Sequence, residues 1–408
     1  MNISEHLQDP AYLERLYREN KGQFKKHFDE VYPELKGQPI ADAWAVRLHY
    51  TPSEKISWGS KRELILVIIG GLLAGFIAKL PQLFYIKEEF FYPRNFGFIV
   101  FPILTAYFLW KHNADVRRWA IALAAMIVSI LYINFLPNNN KSDTLILACI
   151  HLPLFLWAIL GYGFENKKNN RVAYLRFNGD LIVMSTIIMI AGGLMSAITI
   201  VLFNLIGFDI AELYMENIGL VGASAVPIAT TYLVQKNPQL VDKVSPVIAR
   251  LFSPIVLVML SIYLIAVLVS NKDPYNDREF LLMFNILLIG VLAIIFFSVS
   301  EMSRSGASVF GRIVLFSLSM VTIIVNSVAL SAIIFRLQGG ITPNRLAVLG
   351  GNVLFLIVLI LIGLKLYKAV FKDGDLLEVD AVVSKFLPVF AVWTMVVTFL
   401  FPLLFKFN

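Results

Sequence analysis

Five histidines, one cysteine and a few asparagines are the residues of this chain whose side chains could move protons or hold polar ligands inside an apolar body. The histidines (His6, His27, His49, His112 and His151) are scattered, and their spacing to the acids builds no metal-ligand set. No Gly-x-Ser-x-Gly nucleophile turn, His-Glu-x-x-His zinc helix or phosphate-binding glycine loop occurs. Cys149 stands alone in an apolar run, which removes dithiol chemistry. The reading is of a chain with no catalytic residues, no metal site and no cofactor; a lipid- or polyprenyl-processing enzyme is disfavoured because no acid–base pair is visible.

The polar chemistry that remains sits within apolar stretches. His151 lies beside Leu152-Pro153, where the proline frees a carbonyl in the preceding turn. A neutral imidazole bonded at that kink is the plain reading, and a proton relay or lipid-headgroup contact is the functional one. Asn134, Asn204, Asn285, Asn326 and Asn352 also fall in apolar runs. Asparagines there act as interhelical glue worth ~0.6–2 kcal/mol each, or line a polar cavity if they cluster. His151, Asn285, Asn326 and Asn352 therefore form the candidate intramembrane polar site.

Small residues mark other places. Gly71 and Gly75 make a Gly-x-x-x-Gly, and Gly192-Gly193 and Gly350-Gly351 lie in later runs. These report helix packing in most membrane proteins. The series Gly219, Gly222, Ala223, Ser224, Ala225 and Pro227 is denser, as in a discontinuous transporter helix or a plain kinked one. The stretch 207–216 carries Asp209, Glu212 and Glu216, a solvated helix face more readily than a divalent-cation site.

The elements that hold these residues follow from composition. Hydrophobic residues are 58% of 408 and charged residues 15%, against roughly 25% charged in a soluble protein. No globule of this size hides so much apolar side chain, so the chain is read as a membrane body with a polar head. Of 63 charged residues, 19 lie in residues 1–62. Eleven runs approach the ~20 apolar residues that a bilayer crossing needs: 64–85, 96–110, 119–136, 144–163, 181–206, 217–234, 251–270, 280–300, 313–335, 346–367 and 387–405.

With the N-terminus inside, the inner loops 111–118, 164–180, 235–250 and 301–312 carry twelve Lys and Arg. The outer loops 86–95, 137–143, 207–216 and 271–279 carry five. That bias predicts an N-inside inner-membrane protein, and the net charge of +7 records topology more than a nucleic-acid partner. No cleavable signal is expected, because the first apolar run starts after about 60 polar residues and itself serves as the targeting segment. No span interior carries an acid, which argues against a carrier coupled through buried carboxylates.

Residues 1–61 read as a cytosolic head of three short helices. Asp9-Pro10 opens the first, Phe24, Phe28, Val31 and Tyr32 pattern the second until Pro33, and Ala41, Trp44, Ala45 and Leu48 pattern the third. Such a head packs on itself and the membrane surface, or docks a protein partner; below ~70 residues its core is marginal.

Arg336-Leu-Gln-Gly-Gly-Ile-Thr-Pro-Asn-Arg345 is the most distinctive motif. Gly339-Gly340 supplies the bend, Thr342-Pro343 an N-cap and first-turn proline, and Arg345 an interface cation. Gly340, Thr342 and Arg345 are thus the candidate turn motif. It resembles the Gly-[Ile/Leu]-Thr-x-x-Arg turn of an uncharacterised bacterial family of polytopic membrane proteins, the domain of unknown function 4153. Phe252-Ser-Pro254, Ser261-Ile-Tyr263 and the paired runs 280–300 and 313–335 resemble that family's core over roughly 240–365. The Asp9-to-Arg18 opening is similar to its Bacteroidota-type heads, whereas Leu346-Ala347 replaces the aromatic that members often carry after the arginine. The resemblance implies a bacterial membrane protein and no activity.

The expected fold is all-α: a bundle of about eleven spans (62–408) with the helical head (1–61). Expected partners are membrane lipids, a protein partner at the head and a second copy of the chain, with no nucleic acid. Two functional classes fit. A transport-related or small-molecule-handling protein requires a wet, polar path near 217–234, Asn285 and Asn326. A non-catalytic scaffold or accessory subunit requires a solid interior and a docking face.

Overall fold

The computed structural model describes residues 3–4, 6–19, 21–49, 60–139, 142–165, 171–205, 209–238, 253–258, 260–262, 264–265, 275, 278–305, 309–372 and 375–407. Two compact units are present, Met1–Ser57 and Trp58–Asn408.

The first unit contains α1 (Pro10–Glu19), α2 (Lys21–Leu35) and α3 (Pro39–His49). Asp9 caps α1, its Oδ1 accepting the amides of Ala11 and Tyr12 at 3.1 and 3.0 Å. Leu13, Phe24, Phe28, Ala41, Trp44 and Ala45 are buried together with Ile3 and Leu7. The patterned residues thus close a real core, which the Phe24–Trp44 ring contact at 4.9 Å knits across α2 and α3. The expected stop at Pro33 falls short, since α2 continues to Leu35. A proline that close to the end forfeits a single backbone bond in the last turn.

The second unit is helical throughout its described residues. It comprises α4 (Lys61–Ala78), the short α5 (Leu80–Leu83), α6 (Glu88–Lys111), α7 (Val116–Phe135), α8 (Asp143–Phe164), α9 (Arg171–Leu205) and α10 (Ala211–Lys236). An apolar segment α11 (Ser253–Ile262) follows, then α12 (Arg278–Ser305), α13 (Val309–Leu337), α14 (Pro343–Phe371) and α15 (Leu377–Leu404). Eight of these, α7–α10 and α12–α15, are long and apolar enough to cross a membrane. The helix α4 starts on the charged triplet Lys61-Arg62-Glu63, and α6 carries Glu88, Glu89, Arg94 and Lys111, so neither is among the eight. Of the run expected at 251–270, residues 253–258, 260–262 and 264–265 are described, whereas Phe252 and Tyr263 lie outside the described residues.

Starts are set by side-chain caps. Ser60, Asp115, Ser142 and Thr342 accept the amides of Glu63, Arg118, Leu145 and Arg345 at 3.0–3.3 Å. The helices then pack as two bundles. In one, α4, α6, α8, α9 and α10 surround Leu104, Phe108, Tyr174, Phe177 and Ile228, with α7 on the flank. In the other, α12, α13, α14 and α15 surround Phe284, Leu315, Val325, Val358 and Leu359. The helices α8 and α9 bridge them through contacts with α14, α15 and α12. Outward faces stay apolar: Leu123, Val128 and Leu131 of α7 are 59%, 60% and 52% exposed, a surface suited to lipid and not to water.

Candidate functional site: buried polar clusters

Asn285 on α12, Asn326 on α13 and Asn352 on α14 meet in the second bundle. Asn352 donates through Nδ2 to Asn285 Oδ1 at 2.6 Å and to the Val348 carbonyl at 2.8 Å. Asn326 donates to the Asn352 carbonyl at 3.0 Å, and Asn285 to the Leu281 carbonyl at 2.7 Å. Their exposures are 9%, 0% and 2%. Two of these bonds cross between helices and two return to a carbonyl one turn back on the donor's own helix, while the Oδ1 atoms of Asn326 and Asn352 have no hydrogen-bond partner. Neutral amides so arranged hold three helices in register and offer no titratable group.

His151 is not part of this cluster. It stands on α8, its Nδ1 2.9 Å from the carbonyl of Leu147, one turn back. The proline-freed carbonyl, expected as its partner, belongs to Cys149. Asn134 pairs reciprocally with Asn95 at 2.8 and 2.9 Å, joining α7 to α6. The side chain of Asn204 lies outside the described residues.

The turn between α13 and α14 has the form its residues dictate. Gly340 has φ +102°, Thr342 caps α14, Pro343 follows it, and Arg345 Nη1 donates back to the Gly340 carbonyl at 2.7 Å. All three motif residues are consumed in closing the turn.

The glycines report packing where they approach other helices. A Cβ on Gly75 would lie 2.5 Å from Val221 Cγ1, and one on Gly71 3.2 Å from Ala225 Cβ. The Gly-x-x-x-Gly of α4 thus seats on the small residues of α10, at a distance only glycine permits. The helix α10 is continuous through Pro227, with a π-turn at Met215–Gly219 beside the Lys79–Asn217 hydrogen bond. Gly350 faces the Trp393 ring, whereas Gly192, Gly193 and Gly222 face open space.

The structure adds charged groups that sequence reasoning missed. Glu63, Asp180 and Glu301 are 4%, 6% and 1% exposed. Each stands one residue outside an apolar run, so a search of span interiors passes over all three. Glu63 is the best defined: Oε1 accepts Tyr107 Oη–H at 2.8 Å, and Oε2 is 2.5 Å from Lys236 Nζ. Lys111 Nζ lies 4.0 Å from Glu63 and donates to Gln235 Oε1 at 2.9 Å. Burial pushes the Glu63 carboxyl up, but the Lys236 and Tyr107 hydrogen bonds and both lysine charges outweigh it and hold it below the usual carboxylate value. Burial pulls Lys111 down, against the attraction of Glu63 and with the repulsion of Lys236, to about 8. This cluster ties the ends of α4, α6 and α10 as an ionic clamp. At the opposite ends of α6 and α7, Arg94 is 3% exposed, its Nε donating to the Ile133 carbonyl at 3.2 Å over the Phe90 ring.

Fold and site together define the class: a chain helical throughout its described residues outside the turns, with eight helices long and apolar enough to cross a membrane and buried polar clusters that link neighbouring helices. No known protein family, curated protein or solved structure matches the chain.

Proposed function

We propose that the chain is a non-catalytic scaffold or accessory subunit of a bacterial inner membrane, docking a protein partner through its cytosolic head. The observation that carries this reading is the fate of the residues a transport path would need. Gly71, Gly75, Val221 and Ala225 pack on one another, and Asn285, Asn326 and Asn352 are buried and bound to each other. A transport-related role needs those side chains facing water.

Topology follows the same reading. Adding α4 with α5, α6 and α11 to the eight apolar helices gives about eleven spans. The excess of Lys and Arg in alternate loops favours the N-terminus inside. The buried acids at positions 63, 180 and 301 then all lie at inner ends of spans. In the head, a cleft of about 570 Å³ lined by Pro10, Pro39, Ile40 and Trp44 and rimmed by Glu14 and Arg47 suits a short peptide segment.

The test is co-purification from native membranes of the full chain and of a variant lacking residues 1–50. Partners lost with the head support docking; an unchanged partner set overturns it.

A further inference from the structure

The seam between the two bundles opens as a cleft of about 230 Å³ where α8, α9 and α15 meet. Trp157, Tyr162 and Tyr174 line one side and Leu387, Pro388 and Ala391 the other. Glu165 and Arg171 stand at the rim, where α8 ends and α9 begins. From Glu165 to Trp157 the cleft follows α8 for about 12 Å, from the end of the helix toward the apolar body.

Charge at the rim is unbalanced. Arg171 Nε is 3.4 Å from Glu165 Oε1, and its Nη1 donates to the Ser384 carbonyl at 3.3 Å. Arg118 closes on the same point, donating through Nη2 to the carbonyls of Tyr162 and Glu165 with its guanidinium 4.9 Å from the Tyr162 ring centre. Among the described residues, two guanidiniums converge here, Arg171 on the Glu165 carboxylate and Arg118 on backbone carbonyls, and the Arg171 side chain remains 39% exposed. An arginine fork suits a phosphate, and below it the walls are aromatic and aliphatic.

The geometry points to an anionic phospholipid as the occupant, its phosphate at Arg171 and Arg118 and the upper part of one acyl chain between Trp157 and Ala391. A peptide or free anion would satisfy the rim and leave the apolar length of the cleft empty. The volume takes part of one chain and leaves the rest of the lipid among the annular lipids. On the N-inside orientation proposed above, the cleft opens toward the inner leaflet; binding in micelles has no leaflet, so an inverted topology leaves this site standing. A reporter fused at Asn408 reads that orientation separately, an outside C-terminus being expected.

The experiment uses the full chain in mild detergent, with phosphatidylglycerol and phosphatidylcholine carrying the same brominated acyl chains. Bromine quenches tryptophan on contact, and Trp157→Phe isolates the fluorescence that reports the cleft. The expected result is quenching of the Trp157 component at about fivefold lower mole fraction of phosphatidylglycerol, the preference that ~1 kcal/mol per basic side chain gives at an anionic surface. Arg171→Gln removes the preference and keeps the quenching; Ala391→Phe fills the cleft and removes quenching by both lipids. If Trp157→Phe does not fold, total fluorescence of the parent against Ala391→Phe reads the same difference. Equal midpoints for the two lipids, or unchanged quenching in Ala391→Phe, overturn the proposal.

Discussion

Replacing Glu63 by glutamine takes one charge from the ionic clamp while keeping the side chain's size and its acceptor for Tyr107. Breaking a buried pair costs ~3–5 kcal/mol when the abandoned partner stays buried. The side chains of Lys111 and Lys236 keep 23% and 25% exposure, so water recovers part of that loss. The expected cost is then about 2–3 kcal/mol, measured by reversible unfolding in mixed micelles with rising denaturing detergent. Lys236→Met supplies the control. In that background, with the nearest cation gone, Glu63→Gln should cost under about 1 kcal/mol, giving a coupling near 2 kcal/mol. Additive effects, with coupling below ~0.5 kcal/mol, would show that the contact at 2.5 Å stabilises nothing and refute the clamp. The pH dependence has a definite sign. The lowered Glu63 carboxyl contributes stability above its ordinary value of 4.5, lost as pH falls through its folded value.

Further outcomes follow from five single positions. Lys111, held near 8 in the folded chain against an ordinary 10.5, is bound less tightly to its proton than in the unfolded chain. Stability should therefore rise between about pH 8 and 10.5, and Lys111→Met should flatten that rise in the same unfolding assay. Gly75→Val drives a side chain into Val221 and should cost ~1–3 kcal/mol, whereas Gly222→Ala, facing open space, should be neutral or stabilise by up to ~1 kcal/mol. Gly340→Ala forces an L residue to φ +102° and should cost ~1–2 kcal/mol; Thr342→Ala loses a cap worth ~1 kcal/mol, both read as shifted unfolding midpoints.

Local features were legible in the sequence because their causes are local. The Asp9 cap, the aromatic face of the head, the apolar runs and the Gly340–Arg345 turn each depend on residues within a few positions. Asparagines could be picked out by their cost in an apolar run, but that Asn285, Asn326 and Asn352 share one point depends on how α12, α13 and α14 rotate against each other. The rotation is set by packing of Phe284, Leu315 and Val358, which no spacing announces. Glu63, Asp180 and Glu301 escaped for another reason. An acid abutting an apolar run looks solvated until neighbouring helices cover it, and the cover for Glu63 comes from Tyr107 and Lys236, 44 and 173 positions away. His151 differs in another way, since its imidazole takes the Leu147 carbonyl one turn back and not the carbonyl that Pro153 frees.

The most direct measurement is thiol accessibility at the bundle interiors. In a Cys149→Ser background, Ala225→Cys, Asn326→Cys and Asn352→Cys would be treated with a membrane-impermeant maleimide on each side of the membrane, with Val116→Cys, at an 83% exposed position, as the labelled control. A closed scaffold predicts no labelling at the three interior positions while the control reacts fully. Labelling at Asn326→Cys or Asn352→Cys at a rate near that of the control would reveal a wet path through the second bundle and contradict the account.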